Sequence, residues 1–350
     1  MPALRSGGNS ESAERGRPRQ QGESGNRNGA KVVALIYCYT NTLRRLPRVA
    51  FFQKAAVIRR CTIVLLALFP LLMRTAPSWG AEASAGVRAV DDRGKVVGLP
   101  QPARRVISLA PNVTEILYAI GLDREIAGVL AFSNYPEEAK TKPVVGSGTL
   151  DYEKILSLRP DLVVGVTGFH PAQDLERLES LGLTLYVMKP TDLESIFRTM
   201  ENLGRLTGKG DSARRACDSL RERVAKVESR VSGLAKTPVL LLIWPDPPMV
   251  PGKESFLVDL TRRAGGLPLL SGFPGESVRI SMEVILQAKP QVLVLPDLPE
   301  SRRTLTENDI WTHLPAVVNN RILWLNPDRM HRPGPRLVDA LEKLAAFLHP

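Results

Sequence analysis

The chain has 350 residues, 43% of them hydrophobic and 24% charged, values that suit one large or two ordinary globular domains and exclude wholesale disorder. Its formal net charge of +11 is unevenly placed: residues 1–80 carry 13 Lys/Arg and 3 Asp/Glu, which leaves 34 and 33 for residues 81–350. A body so nearly neutral has no long-range pull on a polyanion, which excludes a nucleic-acid binder.

The basic residues belong to a leader, expected over residues 1–83. Residues 1–30 are rich in Arg, Gly, Ser, Asn and Gln and have little apolar surface to bury. Arg59 and Arg60 then precede residues 61–73, an apolar run in which Thr62 is the sole polar side chain. That run is shorter than the roughly 20 residues of a membrane-spanning helix and matches the apolar core of a signal peptide. Small residues place cleavage after Gly80 or Ala83, with an uncleaved short anchor as the alternative. Removing the leader removes Cys38 and Cys61, so the exported chain keeps only Cys217 and has no internal disulfide.

Beyond the leader, Val87–Val97 reads as a hairpin turning at Asp91-Asp92-Arg93-Gly94. A strand follows at 105–110, then a helix from Val113 to Ile120, with Asn112 and Glu115 at capping-box spacing and Gly121 as its stop. Strand and helix patterns then alternate at Glu125–Leu130, Lys154–Leu158, Leu162–Val166, Gln173–Leu181 and Leu185–Met188, the signature of βα units on a parallel sheet. Asp192–Leu234 interrupts the alternation. There Ala213, Ala216, Cys217, Leu220, Val224, Val227, Val231 and Leu234 form one apolar stripe at helical spacing, which makes Cys217 a core residue. The strand Val239–Ile243 opens a second run of βα units.

That second run repeats the first. DYEKILSLRPDLVV at 151–164 and SMEVILQAKPQVLV at 281–294 share Glu153/Glu283, Ile155/Ile285, Leu156/Leu286, Pro160/Pro290 and Val164/Val294 at one constant offset, and Asp151 and Ser281 are both N-cap formers. The expected architecture is α/β: two similar Rossmann-like lobes, at 87–190 and 237–350, joined by one long helix within a 191–236 linking segment. The ligand site is expected in the cleft between them.

Several catalytic signatures are missing. Gly208–Ser212 and Gly252–Ser255 lack P-loop spacing, Gly146-Ser147-Gly148 is not a nucleophile elbow, and His170, His313, His331 and His349 are scattered, so neither a metal nor a cofactor is expected. Without an activated nucleophile, an exported hydrolase on this scaffold is a remote alternative.

RVISLAPNVTEILYAIG at 105–121, AFSNYPEEAK at 131–140, LDYEKILSLRPDLVVG at 150–165 and PDRMHRPGPRLVDALEKL at 327–344 carry a family resemblance. Together with 239–266 and 280–295 they resemble the exported binding proteins of cobalamin and ferric-siderophore ABC transporters, most of all the cobalamin binders. The resemblance implies a non-enzymatic, periplasmic, monomeric protein that holds a bulky ligand in its cleft and docks on an inner-membrane permease dimer. It further implies Tyr135 and Trp244 as ligand-facing aromatics and Asp328 and Arg332 as the acid and base at the ligand's amide-bearing edge. Local packing for the aromatics and a surface ion pair for Asp328/Arg332 are the plainer alternatives. Two tryptophans of cobalamin binders are absent, and Phe169 and Phe273 stand in those regions. His170 is expected as a polar loop tip, with ligand contact as the alternative.

The expected ligand is therefore a corrinoid, cobalamin. A ferric siderophore or haem is the alternative, for which Arg329, Arg332 and Arg336 would serve an anionic chelate. Glu153 and Glu283 each fall in the first turn of a helix, where a carboxylate suits the helix dipole; the resemblance assigns both to docking against permease arginines.

Overall fold

The computed structural model describes residues 86–350. The leader expected over 1–83, its apolar segment and both cleavage positions lie outside the described residues. Among the described residues no helix is long and apolar enough to cross a membrane.

The hairpin pairs β1 (Val87–Val90) with β2 (Val96–Leu99) antiparallel. Asp91 fixes its turn by accepting from the backbone N–H groups of Arg93 and Lys95 at 3.0 and 2.9 Å. The first lobe continues through β3 (Val106–Ser108), α1 (Pro111–Ala119), β4 (Ile126–Gly128), α2 (Tyr152–Ser157), β5 (Leu162–Val166), α3 (Ala172–Ser180) and β6 (Leu185–Met188), and α4 (Leu193–Leu206) follows it. After α5 (Gly210–Val231), the second lobe contains β7 (Thr237–Leu241), β8 (Trp244–Pro245), β9 (Pro248–Pro251), α6 (Phe256–Arg263), β10 (Gly266–Pro268), β11 (Ser277–Arg279), α7 (Met282–Ala288) and β12 (Val292–Pro296). It ends with α8 (Pro299–Glu307), α9 (Pro315–Val318), β13 (Ile322–Leu325), α10 (Pro327–Met330) and α11 (Leu337–Leu348).

Both lobes carry a four-stranded parallel sheet of one topology. The orders are β4-β3-β5-β6 and β10-β7-β12-β13, which in each lobe places its first strand between its second and third. The internal repeat coincides with this plan. β5 and β12 occupy matching positions of the repeat, Ile155 and Ile285 are both fully buried, and Arg159 and Lys289, each just before the repeated proline, are both left-handed at φ 44° and 45°.

Period-two burial divides each sheet between two cores. Val106, Leu162, Val164 and Tyr186 from the first sheet, with Val239, Leu241, Val292 and Val294 from the second, enter one continuous core. Ile107, Val163, Leu185 and Val187 face a second core beneath α2 and α3, and Leu240, Leu293 and Leu295 face a third with Ile285 and Trp311. The continuous core closes on α5, whose Ala213, Cys217, Leu220, Val224, Val227 and Val231 form the expected stripe. Cys217 is fully buried, and that burial pushes its thiol up to about 12, so it packs and does not react.

The linking segment holds α4 and the long helix α5, with Gly208 turning the chain at φ +72° between them. Three local expectations are corrected. The stripe ends at Val231, and Leu234, past Gly233, is exposed. Ser281 precedes α7 without capping it; its hydroxyl bonds the Glu283 carboxyl and holds it below the ordinary range, whereas Asp151 does cap α2 through Lys154 N–H at 2.8 Å. Finally, α1 starts at Pro111, with no side-chain cap on Ala110. Proline at the first helical position has no N–H to satisfy, which leaves Asn112 and Glu115 free to bond elsewhere.

Left-handed backbone at a residue with a Cβ costs about 1–2 kcal/mol, and glycine loses about half of that advantage through its freedom in the unfolded chain. Arg159→Gly and Lys289→Gly, both at exposed positions, are therefore expected each to raise the unfolding free energy by about 0.5–1 kcal/mol. Urea melts of the single variants and the double variant, which should be additive, check this.

Candidate functional site

In an open parallel sheet, ligands collect beyond the carboxyl ends of the strands, where the chain diverges to opposite sides. All six residues expected to face the ligand lie in such segments: Tyr135 follows β4, Phe169 follows β5, Trp244 follows β7, Phe273 follows β10, and Asp328 and Arg332 follow β13. The aromatics are open to solvent, Tyr135 by 46%, Phe169 by 48%, Trp244 by 37% and Phe273 by 38%. Phe132, which the sequence reading missed, is 53% exposed in the same segment as Tyr135. These five are all the exposed Phe, Tyr and Trp residues among the described ones. Exposed aromatic faces cost free energy in water, and all five lie in segments that leave the carboxyl ends of the two sheets.

Tyr135 and Arg332 are brought together by a polar network that joins the lobes. Glu115 on α1 accepts from Arg336 through both carboxylate oxygens, Nε to Oε2 at 2.9 Å and Nη2 to Oε1 at 2.5 Å, and from Arg332 Nη1 at 3.3 Å. Arg332 also donates to Asn134 Oδ1 at 2.6 Å and to the Phe132 carbonyl at 3.4 Å, and pairs with Asp328 at 2.8 Å. Asn134 Nδ2 reaches Asp328 Oδ2 at 3.4 Å. The Arg336 guanidinium lies 3.9 Å from the Tyr135 ring centroid, a cation–π contact. Asn112, released from capping, donates to the Pro333 carbonyl at 3.2 Å.

The burial in this network is uneven. The Glu115 side chain is 1% exposed, those of Arg332 and Arg336 are 14% and 16%, and that of Asp328 is 37%. Burial works against the charge on Arg336, but the Glu115 hydrogen bonds overcome it and raise the guanidinium above its ordinary value. Beside it, burial pushes the His331 imidazole down against the attraction of Asp328. Asp328 and Arg332 thus form an ion pair set within an interlobe network, with the Arg332 side chain largely buried.

Phe169 and Phe273 occupy a second meeting point of the lobes. Gly168, at φ +76°, leaves so little room that a Cβ there would lie 2.9 Å from Glu276 Oε2, and Lys189 pairs with Glu254 at 3.2 Å. Burial pushes the Glu276 carboxyl up, with Lys189 opposing. His170 is not a polar loop tip: it is 8% exposed, and its Nε2 bonds the Leu109 carbonyl while its ring meets Phe169 edge-on. Trp244 begins the small antiparallel β11-β9-β8 sheet, not the end of β7 as expected. Its indole donates to the Asp246 carbonyl at 2.8 Å, and it borders a hollow of about 360 Å³ with Glu300 and Arg303 of α8.

Glu115 and Asn134 were missed by sequence reasoning. One signal was available for Glu115: it is the sole charged residue between Arg105 and Asp123, a carboxylate on an otherwise apolar helix. Glu153 and Glu283 are exposed on α2 and α7, one per lobe.

Among curated proteins, the chain is 29% identical over 266 residues to the vitamin B12-binding protein of Vibrio cholerae, an alignment covering 71% of this chain and 90% of that protein. It is 28% identical over 246 residues to the vitamin B12-binding protein of Photorhabdus laumondii, covering 70% and 88%. Among solved structures, the periplasmic vitamin B12-binding protein of Vibrio cholerae matches with a TM-score of 0.63 at 27% identity, over 71% of this chain and 97% of that one. A periplasmic haem-binding protein from Pseudomonas aeruginosa gives 0.63 at 26%, over 71% and 93%. The model of the periplasmic binding protein family matches residues 106–328, the stretch that runs from the first strand of the first sheet to the acid of the interlobe network, and the chain belongs to that family.

Proposed function

We propose that the protein is the exported, periplasmic substrate-binding component of an ABC importer, and that it captures a corrinoid, cobalamin, in the cleft between lobes formed by 87–190 and 237–350 and linked by 191–236. The observation that carries this reading is the gathering of all five exposed aromatics of the described chain beyond the carboxyl ends of the two sheets. A corrin is a broad, partly apolar disc with amide arms. Tyr135, Phe132, Phe169, Phe273 and Trp244 supply faces for the disc, and Asn134, Asp328 and Arg332 supply donors and acceptors for the arms. Two carboxylates and two guanidiniums cancel at the centre of the interlobe network, which suits an uncharged ligand better than an anionic iron chelate or haem.

Calorimetric titration with cyanocobalamin at roughly tens of micromolar, where even a micromolar binder responds, is expected to show saturable heat. No heat and no thermal shift would remove the corrinoid. A purified protein that arrives orange-brown instead of pink would favour the iron-chelate or haem alternative. Phe169→Ala and Phe273→Ala, which remove exposed rings, are expected to leave the melting temperature unchanged and to weaken cyanocobalamin binding, by about tenfold in the double variant.

For delivery, the proposed contacts are Glu153 and Glu283. They occupy equivalent positions of the repeat on crossover helices, whose first turns lie toward the carboxyl edges of the sheets, so they offer one negative point per lobe to a permease dimer. Glu153→Lys with Glu283→Lys is expected to leave ligand binding and melting temperature nearly unchanged while uptake collapses in a transport assay. Uptake at the wild-type rate would reduce both residues to helix-end charges.

A further inference from the structure

Resting on the corrinoid reading, we propose that Glu115 is a specificity-determining residue: a resident carboxylate that occupies the two arginines of the cleft and so bars anionic ligands in favour of an uncharged macrocycle. Arg332 and Arg336 are the residues an anionic chelate would need. A ligand carboxylate binds guanidinium through a planar, two-pronged contact, and Glu115 already makes that contact with Arg336 while its Oε1 also accepts from Arg332. The remaining side of Arg332 is held by Asp328 and Asn134. An incoming anion would have to displace a carboxylate whose side chain is 1% exposed and cannot swing into water. An uncharged amide makes no such demand, because Asn134 and the 37% exposed Asp328 can meet it without breaking the pair.

The same contact positions an aromatic. Anchored by Glu115, the Arg336 guanidinium lies against the Tyr135 ring, so the charge of the second lobe and the exposed ring of the first share one arrangement. Specificity of this kind comes from an arrangement that opposes the wrong ligand, as much as from contacts to the right one.

The test titrates wild type, Glu115→Gln, and Glu115→Gln with Arg336→Gln, using cyanocobalamin as the uncharged macrocycle and haemin as the anionic one, with a melting curve for each protein. Gln keeps the shape and removes the charge. Glu115→Gln is expected to bind haemin at least about tenfold tighter than wild type, with a gain that shrinks as salt rises and no comparable gain for cyanocobalamin. The double variant restores the charge balance and is expected to lose the haemin gain. Unchanged haemin affinity in Glu115→Gln overturns the proposal, as does a gain that persists in the double variant. Should Glu115→Gln not fold, Asp328→Asn frees one side of Arg332 and is expected to give a smaller gain in the same direction; no gain there overturns it equally. A wild-type protein that ignores cyanocobalamin but binds haemin would instead sink the corrinoid reading, a result the variants do not mimic.

Discussion

Both lobes bury the inner faces of their sheets in a single core closed by α5, and the placement of one lobe against the other depends on that sharing. A helix of 22 residues, about 33 Å at 1.5 Å per residue, contacts α4 on the side of the first lobe and α6 and α11 on the side of the second. Its charged side chains are committed in both directions. Arg221 pairs with Glu194 and Glu201 of α4, while Arg223 pairs with Asp339 and Glu342 of α11. Exposed pairs like these add little stability singly, but with the apolar stripe beneath them they fix the helix against both lobes. Rotating one lobe would tear a continuous close-packed core, unlike a hinge of extended strands, where backbone torsion alone absorbs the motion.

A fixed scaffold makes the repeated topology consequential. Each lobe sends its first strand to the middle of its sheet and its second to one side, so each has a switch point where loops splay apart at the carboxyl edge. The segments after β3, β4 and β5 in one lobe, and after β7, β10 and β13 in the other, are freed from sheet packing for that reason. They carry nearly all the residues of the site. The family's fold therefore supplies a rim, and this chain's particular side chains on the rim supply chemistry.

The interlobe network has a different physical character from the core. Burying a carboxylate is expensive unless it is paired, and even a well-formed buried pair adds little net stability. Glu115 satisfies the pairing condition only through arginines more than 200 residues away, so the network exists only when both lobes are folded and correctly placed. Its contribution is to orientation. Arg332 is fixed by Glu115, Asp328 and Asn134 at once, and Arg336 is fixed by Glu115 against Tyr135.

Local pattern was enough to reveal the strands of the first sheet, β7, the α5 stripe and the repeat, because sheet and helix periodicities are written in neighbouring residues; it did not place β8, β9, β10, β11 or β13. It was enough to place Leu162–Val166 as β5 to the residue and Cys217 in the core. The family resemblance, and not local pattern, pointed to Tyr135, Trp244, Asp328 and Arg332, and to Phe169 and Phe273 in the regions of the absent tryptophans, without giving their contacts. Local pattern misled at Asn112 and Glu115, whose spacing imitates a capping box, and at Ser281, which has the chemistry of a cap but bonds a neighbouring carboxylate. His170 looked like a loop tip because nothing adjacent announces the Leu109 carbonyl that receives it. On α1, each of the polar side chains Asn112 and Glu115 had a local partner and a distant one within its chemical reach. Only the tertiary structure, by bringing α1 against the segment that follows β13 and excluding water between them, decided which partner it took.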